Sequence, residues 1–260
     1  GLAVAEGPGL TPVQLIVLTL AVLLSSASAG AFNQYYEHDI DPLMSRTRKR
    51  VFATGEVAHG PIWLVVIVGL MALSVVAAWF ALNAWSALFV FLGAFFYAIV
   101  YTVWLKRRTW LNIVFGGLAG SWAVLAGATA AAPEIGALPL ILAFVLFLWT
   151  PPHFWSLAIA FREDYAAAKV PMLPVVVGDQ RAAQTVFVST LLLVAASLLP
   201  AMFGLGPIYL AGAVIGGIWF IRKAWLLSRN PNRETAMSCF HASLAQLTLV
   251  LTTAIIDARF

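Results

Sequence analysis

Eight apolar stretches, at 11–32, 61–80, 84–104, 110–131, 136–160, 184–204, 206–227 and 236–257, leave this chain little choice of fold. Crossing roughly 30 Å of hydrocarbon takes about 20 apolar residues as an α-helix, the one open structure that satisfies its own backbone hydrogen bonds there. The chain is 62% hydrophobic and 10% charged, far from the quarter charged that is usual for a soluble domain. The expectation is an all-α integral membrane protein, a single domain over 1–260 with about eight transmembrane helices. Apolar stretches recur to the last residues, which does not fit a secreted protein behind one signal peptide. The single cysteine, Cys239, excludes an internal disulfide, a cysteine zinc cluster and a C-x-x-C-H haem attachment. The first residue is Gly1 rather than methionine, and Gly1 to Gly9 reads as the tail of an upstream segment.

If the eight helices cross in turn, fourteen of the fifteen Lys and Arg fall on one side, and only Arg259 falls on the other. The positive-inside rule assigns that basic side to the cytoplasm. Topology accounts for the net positive charge, and no nucleic-acid partner is expected. Eight of the eleven acidic residues lie on the same side: Glu37, Asp39, Asp41, Glu56, Glu163, Asp164, Asp179 and Glu234. Topology does not require clustered carboxylates.

The most informative stretch is Asn33-Gln34-Tyr35-Tyr36-Glu37-His38-Asp39-Ile40-Asp41 at the end of the first span. On a helix, Asn33, Glu37 and Asp41 sit four apart and line one face, while Asp39 points elsewhere. Like charges stacked at a membrane surface are costly unless a cation joins them, and hard oxygen ligands suit Mg²⁺. Pro42 ends the helix near Asp41, because proline disfavours a helical residue before it. Downstream, Arg46, Arg48, Lys49 and Arg50 crowd into five positions, and arginine forks match phosphate oxygens. Lys106-Arg107-Arg108 closes the third span beside Asn112. Each basic run alone is what topology demands; adjacency to the carboxylates makes them candidates for a diphosphate. Glu163 and Asp164 offer a second carboxylate pair on the same side, with Tyr165 as a hydroxyl donor. His153 follows Pro151 and Pro152 within the fifth span, where loosened backbone should turn it to a cavity rather than to lipid.

These residues resemble the UbiA superfamily of intramembrane prenyltransferases, and within it the branch that farnesylates haem, the haem O synthases. The superfamily's acidic motif Asn-x-x-x-Asp-x-x-x-Asp matches at Asn33, Glu37 and Asp41, with Glu in place of the first Asp. The branch's features follow in order: Asp-x-Asp with Met-x-Arg-Thr-x-x-Arg from Asp39, Tyr-Thr-x-Trp-Leu-Lys-Arg from Tyr101, and Asn-Ile-x-x-Gly-Gly from Asn112. Trp-Thr-Pro-Pro-His-Phe-Trp from Trp149 and Pro-Met-Leu-Pro-Val from Pro171 complete the series. The chain departs from the pattern where adjacent Glu163 and Asp164 replace a spaced Asp pair, where Lys169 stands for a small residue, usually Gly, and where Val51 stands for Pro.

The resemblance implies a UbiA-like fold of nine helices, one of them preceding Gly1. It implies farnesyl transfer from farnesyl diphosphate to a vinyl group of haem B, a substrate rather than a prosthetic group, with addition of water to give haem O. Mg²⁺ would be held by Glu37, Asp41, Glu163 and Asp164, with Asn33 in the catalytic set. Arg46, Arg48, Arg50, Lys106, Arg107 and Tyr165 would bind diphosphate, and His153 the haem. Aromatic faces stabilise an allylic cation, and Tyr36, Phe96, Tyr97, Tyr101, Phe154 and Trp155 are the candidates. The expected setting is a bacterial inner membrane with the active-site loops in the cytoplasm, and the expected partners include haem A synthase or a terminal oxidase assembly. A prenyltransferase of aromatic acids or quinone precursors is the nearest alternative; a transporter or haem-handling protein is the alternative from another class.

Overall fold

The computed structural model describes residues 1–5, 7 and 9–258. Eight helices long and apolar enough to cross a membrane stand among them: α1 (Pro12–Tyr36), α2 (Pro61–Ala81), α3 (Ala84–Leu105), α4 (Asn112–Ala131), α5 (Ala137–Ala160), α6 (Asp179–Phe203), α7 (Pro207–Arg229) and α8 (Arg233–Asp257). They are the eight spans the sequence predicts, and they make this an integral multi-pass membrane protein. Arg259, the one basic residue assigned to the far side, lies outside the described residues.

Consecutive helices pack in antiparallel pairs, and α5 also packs on α8 and α1 on α3. The result is two sub-bundles, α1–α4 and α5–α8, joined where α4 meets α5. α2 buries 17% of its most apolar window and α4 and α5 bury 50%, so α2 forms the lipid-facing rim and α4 and α5 the centre. Large apolar side chains such as Val65, Phe80, Ile215 and Ile218 point outward. Lipid solvates them as water would solvate charge, so the outward apolar face is no defect.

Helix starts follow side-chain chemistry. Thr11 and Gln14 form a reciprocal capping box ahead of Pro12, and Asn232 does the same with Thr235 for α8. Asn83 accepts from Ser86 N and donates to the Thr129 carbonyl, fixing the tight turn from α2 to α3 against α4. Asp257, in the last turn of α8, accepts from the backbone N–H groups of Gly206, Ile208 and Tyr209 at the start of α7. A carboxylate there matches the helix dipole.

Two boundaries differ from expectation in ways that bear on function. α1 runs four residues past 32, so Asn33 belongs to its last turn and Glu37 is its C-cap. Asp41 therefore is not on α1; it opens a separate 3₁₀ turn, Asp41–Leu43. Its N–H still reaches the Glu37 carbonyl at 2.9 Å, an α-turn that preserves the four-residue offset after the helix has ended. α6 starts at Asp179 rather than 184, because Gly178 adopts φ +82° and turns the chain into the span five residues earlier.

Both single-residue departures from the motif pattern fall at positions of special backbone geometry. Lys169 has φ +53°. It follows the short helix Arg162–Ala167, and the bonds Val170 N to Tyr165 O (2.9 Å) and Lys169 N to Ala166 O (3.0 Å) form a Schellman close whose left-handed residue is ordinarily glycine. Val51 is the first residue of the helix Val51–Thr54, where proline fits without losing a bond. Replacing Lys169 by glycine should raise stability by about 1 kcal/mol through relief of the side-chain clash in the left-handed region. A thermal-melt comparison of Lys169→Gly with the parent in detergent should show a higher midpoint; an unchanged or lower one would mean the turn carries no such strain.

Candidate active site

Glu37 and Asp41 are fully buried, at 0% exposure each, so their charge must be met by protein or ligand. Lys106 Nζ donates to Glu37 Oε2 at 2.5 Å. One nitrogen of Arg50, Nη1, donates to both oxygens of Asp41 at 3.0 Å and to Asn33 Oδ1 at 3.2 Å, and stands 3.9 Å from Glu37 Oε2. The three residues read as one stripe thus converge, drawn to a guanidinium. Burial pushes the Lys106 ammonium below lysine's ordinary range, with Glu37 pulling the other way.

Lys106 owes its place to a change in helix type. The last ten residues of α3, Phe96–Leu105, widen into a π-helix, and Lys106 N bonds to Tyr101 O, five residues back, at 2.8 Å. Such segments are uncommon and favour functional sites. Lys106 lies over the Tyr101 ring at 5.6 Å. Asn112 Nδ2 donates to the Lys106 carbonyl at 3.2 Å.

Glu37 Oε1 is buried without a hydrogen-bond partner. An orphaned carboxylate oxygen is expensive, and beside Asp41 it suits a hard divalent cation. Among the described residues no group of three His, Cys, Asp or Glu side chains converges on a metal-sized space, so Glu163 and Asp164 are not gathered into one cluster with Glu37 and Asp41 here. Asp164 Oδ2 instead accepts from Ser45 N at 2.8 Å and from Ser45 Oγ at 2.5 Å. It clamps the 44–50 loop to the helix Arg162–Ala167 and so ties the two sub-bundles together. Glu163 is exposed in the wall of a polar crevice of about 510 Å³ with Arg162, Asp164, Asp179 and Arg233.

The basic residues sort differently from their sequence order. Arg50 is the hub. Arg107 makes a bidentate pair with Asp39 at 2.7 and 2.8 Å and lies over the Tyr36 ring at 5.5 Å. That pairing holds the Asp39 carboxyl below the usual carboxylate range, against an opposing effect of burial. It is a partly exposed tether between loops, and Arg107 lies within electrostatic reach of Glu37. Arg46 lies within electrostatic reach of Tyr97 and Tyr101; Arg48 is exposed and forms no ion pair among the described residues.

Of the aromatic candidates, Tyr97 and Tyr101 meet at 5.6 Å between ring centres, and both lie within electrostatic reach of Glu37 and Tyr165. Tyr97 also lines an apolar cavity of about 300 Å³ between α1, α3 and α4, whose walls are mostly small: Ala29, Gly30, Gly93, Ala94, Ala119 and Gly120. Phe89 and Val22 line its other end, eight residues along α3 and α1 from Tyr97 and Gly30. The remaining candidates stand elsewhere. Tyr36 stacks on Phe32, Trp155 packs near Trp110, Phe96 meets Trp122, and Phe154 sits edge-on to His153.

His153 does not open onto that cavity. α5 runs unbroken through Pro151 and Pro152, and the His153 ring is clamped between Trp149 at 4.0 Å and Phe240 at 4.5 Å. Its Nδ1 lies 2.7 Å from Ser243 Oγ, whose own proton goes to the Phe240 carbonyl at 2.6 Å. With the serine proton on that carbonyl, Nδ1 donates to Ser243 and Nε2 carries the ring's lone pair.

Comparison with known proteins agrees with this geometry. The model of the UbiA prenyltransferase family matches residues 1–245. The chain belongs to the UbiA prenyltransferase family. It is 57% identical over 252 residues to the protein named protoheme IX farnesyltransferase 2 of Paramagnetospirillum magneticum, covering 96% of this chain and 88% of that one. Among solved structures it is similar to a digeranylgeranylglyceryl phosphate synthase, with a TM-score of 0.79 at 20% identity over 96% of this chain and 87% of that one. It is also similar to a UbiA homologue of Archaeoglobus fulgidus bound to GPP and Mg²⁺, with a TM-score of 0.71 at 14% identity over 96% of this chain and 92% of that one. The UbiA fold and the prenyltransferase class are thereby shown.

Sequence reasoning missed Ser45 and Thr102, both of which act through hydrogen bonds that only the folded chain reveals. Ser45→Ala removes one bond of the clamp and Asp164→Ala both, at about 1–3 kcal/mol for a bond to charge. Trypsin cleavage after Arg46, Arg48, Lys49 and Arg50 should accelerate several-fold, more for Asp164→Ala. The double variant should be cut no faster than Asp164→Ala; additive rates would mean that the clamp does not hold the loop.

Proposed function

We propose that this chain transfers the farnesyl group of farnesyl diphosphate to a vinyl group of haem B, with addition of water, giving haem O and diphosphate. The observation that carries the reading is a buried carboxylate pair, Glu37 and Asp41, with one Glu37 oxygen left without a partner, at the end of the helix whose Gly30 lines an apolar cavity of about 300 Å³. A diphosphate with an isoprenoid tail has those two halves. The haem acceptor comes from likeness to the protoheme IX farnesyltransferase of Paramagnetospirillum magneticum.

Mg²⁺ held by Glu37 and Asp41, with Asn33 beside them, would neutralise the diphosphate and promote its departure. That reading draws on the homologue solved with GPP and Mg²⁺. Arg50 and Lys106 would turn to phosphate oxygens, with Arg46 as a further donor. The farnesyl tail lies along Gly30, Gly93 and Gly120, and its reactive carbon sits beside Tyr97 and Tyr101, whose ring faces favour the allylic cation and exclude water. Carbon–oxygen cleavage releases diphosphate. The vinyl π pair bonds to the farnesyl carbon, and water adds at the adjacent carbon and loses a proton. His153 Nε2 would be the atom of this chain to meet the haem iron, imidazole being a common ligand of it.

Positive-inside bias supports a site on the cytoplasmic side; the setting that goes with this reading is a bacterial inner membrane, where haem A synthase or a terminal oxidase assembly would receive the product. An aromatic acceptor would give no use for an imidazole lone pair, and a transporter would give none for a closed carboxylate–guanidinium cluster.

The purified protein, assayed with farnesyl diphosphate, Mg²⁺ and haem B, should form haem O and lose that activity on chelation; turnover unimpaired by chelation would end the metal reading. Glu37→Gln or Asp41→Asn should lower turnover by at least about a hundredfold with insertion unchanged, as expected for loss of charge aimed at the transition state. Filling the cavity with Gly93→Leu should raise KM for farnesyl diphosphate more than it lowers kcat, since it removes binding volume rather than chemistry.

A further inference from the structure

We propose that Thr102 is a positioning residue for the metal–diphosphate site: it dictates which end of the Asn33 amide faces that site. Thr102 is fully buried and Asn33 nearly so, at 0% and 2% exposure. The Thr102 hydroxyl donates its one proton to the carbonyl of Tyr97, five residues back in the π-helical segment, at 2.8 Å. A carbonyl can only accept, so that proton is committed and Thr102 Oγ1 can only accept in turn. Asn33 must then present its NH₂ to Thr102, and Nδ2 does so at 3.1 Å. The amide oxygen is thereby directed the other way, where it accepts from Arg50 Nη1 at 3.2 Å.

The direction matters because everything facing Asn33 on that side demands an acceptor. A flipped amide would aim its NH₂ at the Arg50 guanidinium, and equally at any cation held by Glu37 and Asp41. The π-helix enters here as a cause: its wide turn offers the Tyr97 carbonyl to the hydroxyl five residues on, and this anchors the relay from Tyr97 O through Thr102 and Asn33 to the site.

The proposal rests on the reading that Glu37 and Asp41 hold a divalent cation, and its test reads metal binding rather than turnover. Mn²⁺, the probe, is titrated into the purified full chain with inorganic diphosphate and followed by electron paramagnetic resonance. Thr102→Val, of the same shape without the hydroxyl, should weaken Mn²⁺ binding about tenfold, in the range seen when the outer partner of a ligand is removed. Thr102→Ser should restore it. In an Asn33→Asp background the two carboxylate oxygens are equivalent and orientation no longer matters, so Thr102→Val should then change affinity less than twofold. An unchanged affinity in Thr102→Val, or an equal loss in both backgrounds, would overturn the proposal. If Thr102→Val does not fold, Thr102→Cys, a much weaker hydrogen-bonding group of similar size, takes its place. Failure of the wild-type protein to bind Mn²⁺ at all would remove the metal reading and the proposal with it.

Discussion

The contact between the Lys106 ammonium and the Glu37 carboxylate, with Arg50 beside it, organises the basic end of this bundle. Neither charge can be buried alone at acceptable cost, since breaking a buried pair exposes an uncompensated ion to low dielectric. The requirement fixes three separate stretches of chain at once: the end of α1, the π-helical end of α3, and the loop that carries Arg50. Position within the sequence hardly matters to it. Glu37 and Lys106 are 69 residues apart, yet they share one hydrogen bond.

The sequence reports such a fold unevenly. Spans are legible because hydrocarbon thickness sets helix length, and a single misplaced helix would scatter the fourteen basic residues of one side. Asn33, Glu37 and Asp41 are legible as a group because four-residue spacing survives even where α1 stops at Tyr36 and an α-turn takes over. Long-range partners are not legible. Nothing local tells Arg50, which reaches inward to Asp41, from Arg48, which is solvated, or announces that Arg107 belongs to Asp39. The adjacent pair Glu163-Asp164 stands out by its charge, but nothing local announces that Asp164 accepts from Ser45, a partner 119 residues away.

Backbone exceptions are the other layer the pattern conveys only indirectly. Lys169 and Val51 stand out as departures by residue type, and folding supplies the cause: one sits in left-handed backbone, the other at a helix start. The π-helix gives no such sign. Phe96–Leu105 has the composition of any apolar span, and it is the register of Thr102 and Lys106 against α1 that reveals the wider turn. His153 shows the same limit from the other side: proline neighbours suggest a loosened helix, but α5 continues through them and His153 is stacked between Trp149 and Phe240.

Two carboxylates answered by two cations make the site close to neutral by its own side chains. A polypeptide with that balance can be threaded into the bilayer and reach its native packing before any ion arrives, unlike a zinc finger, whose structure collapses without its metal. Substrate can then come and go without the packing of the site depending on it. The bundle's lifetime in the membrane is set by helix packing, and occupancy of the site is free to follow the supply of isoprenoid.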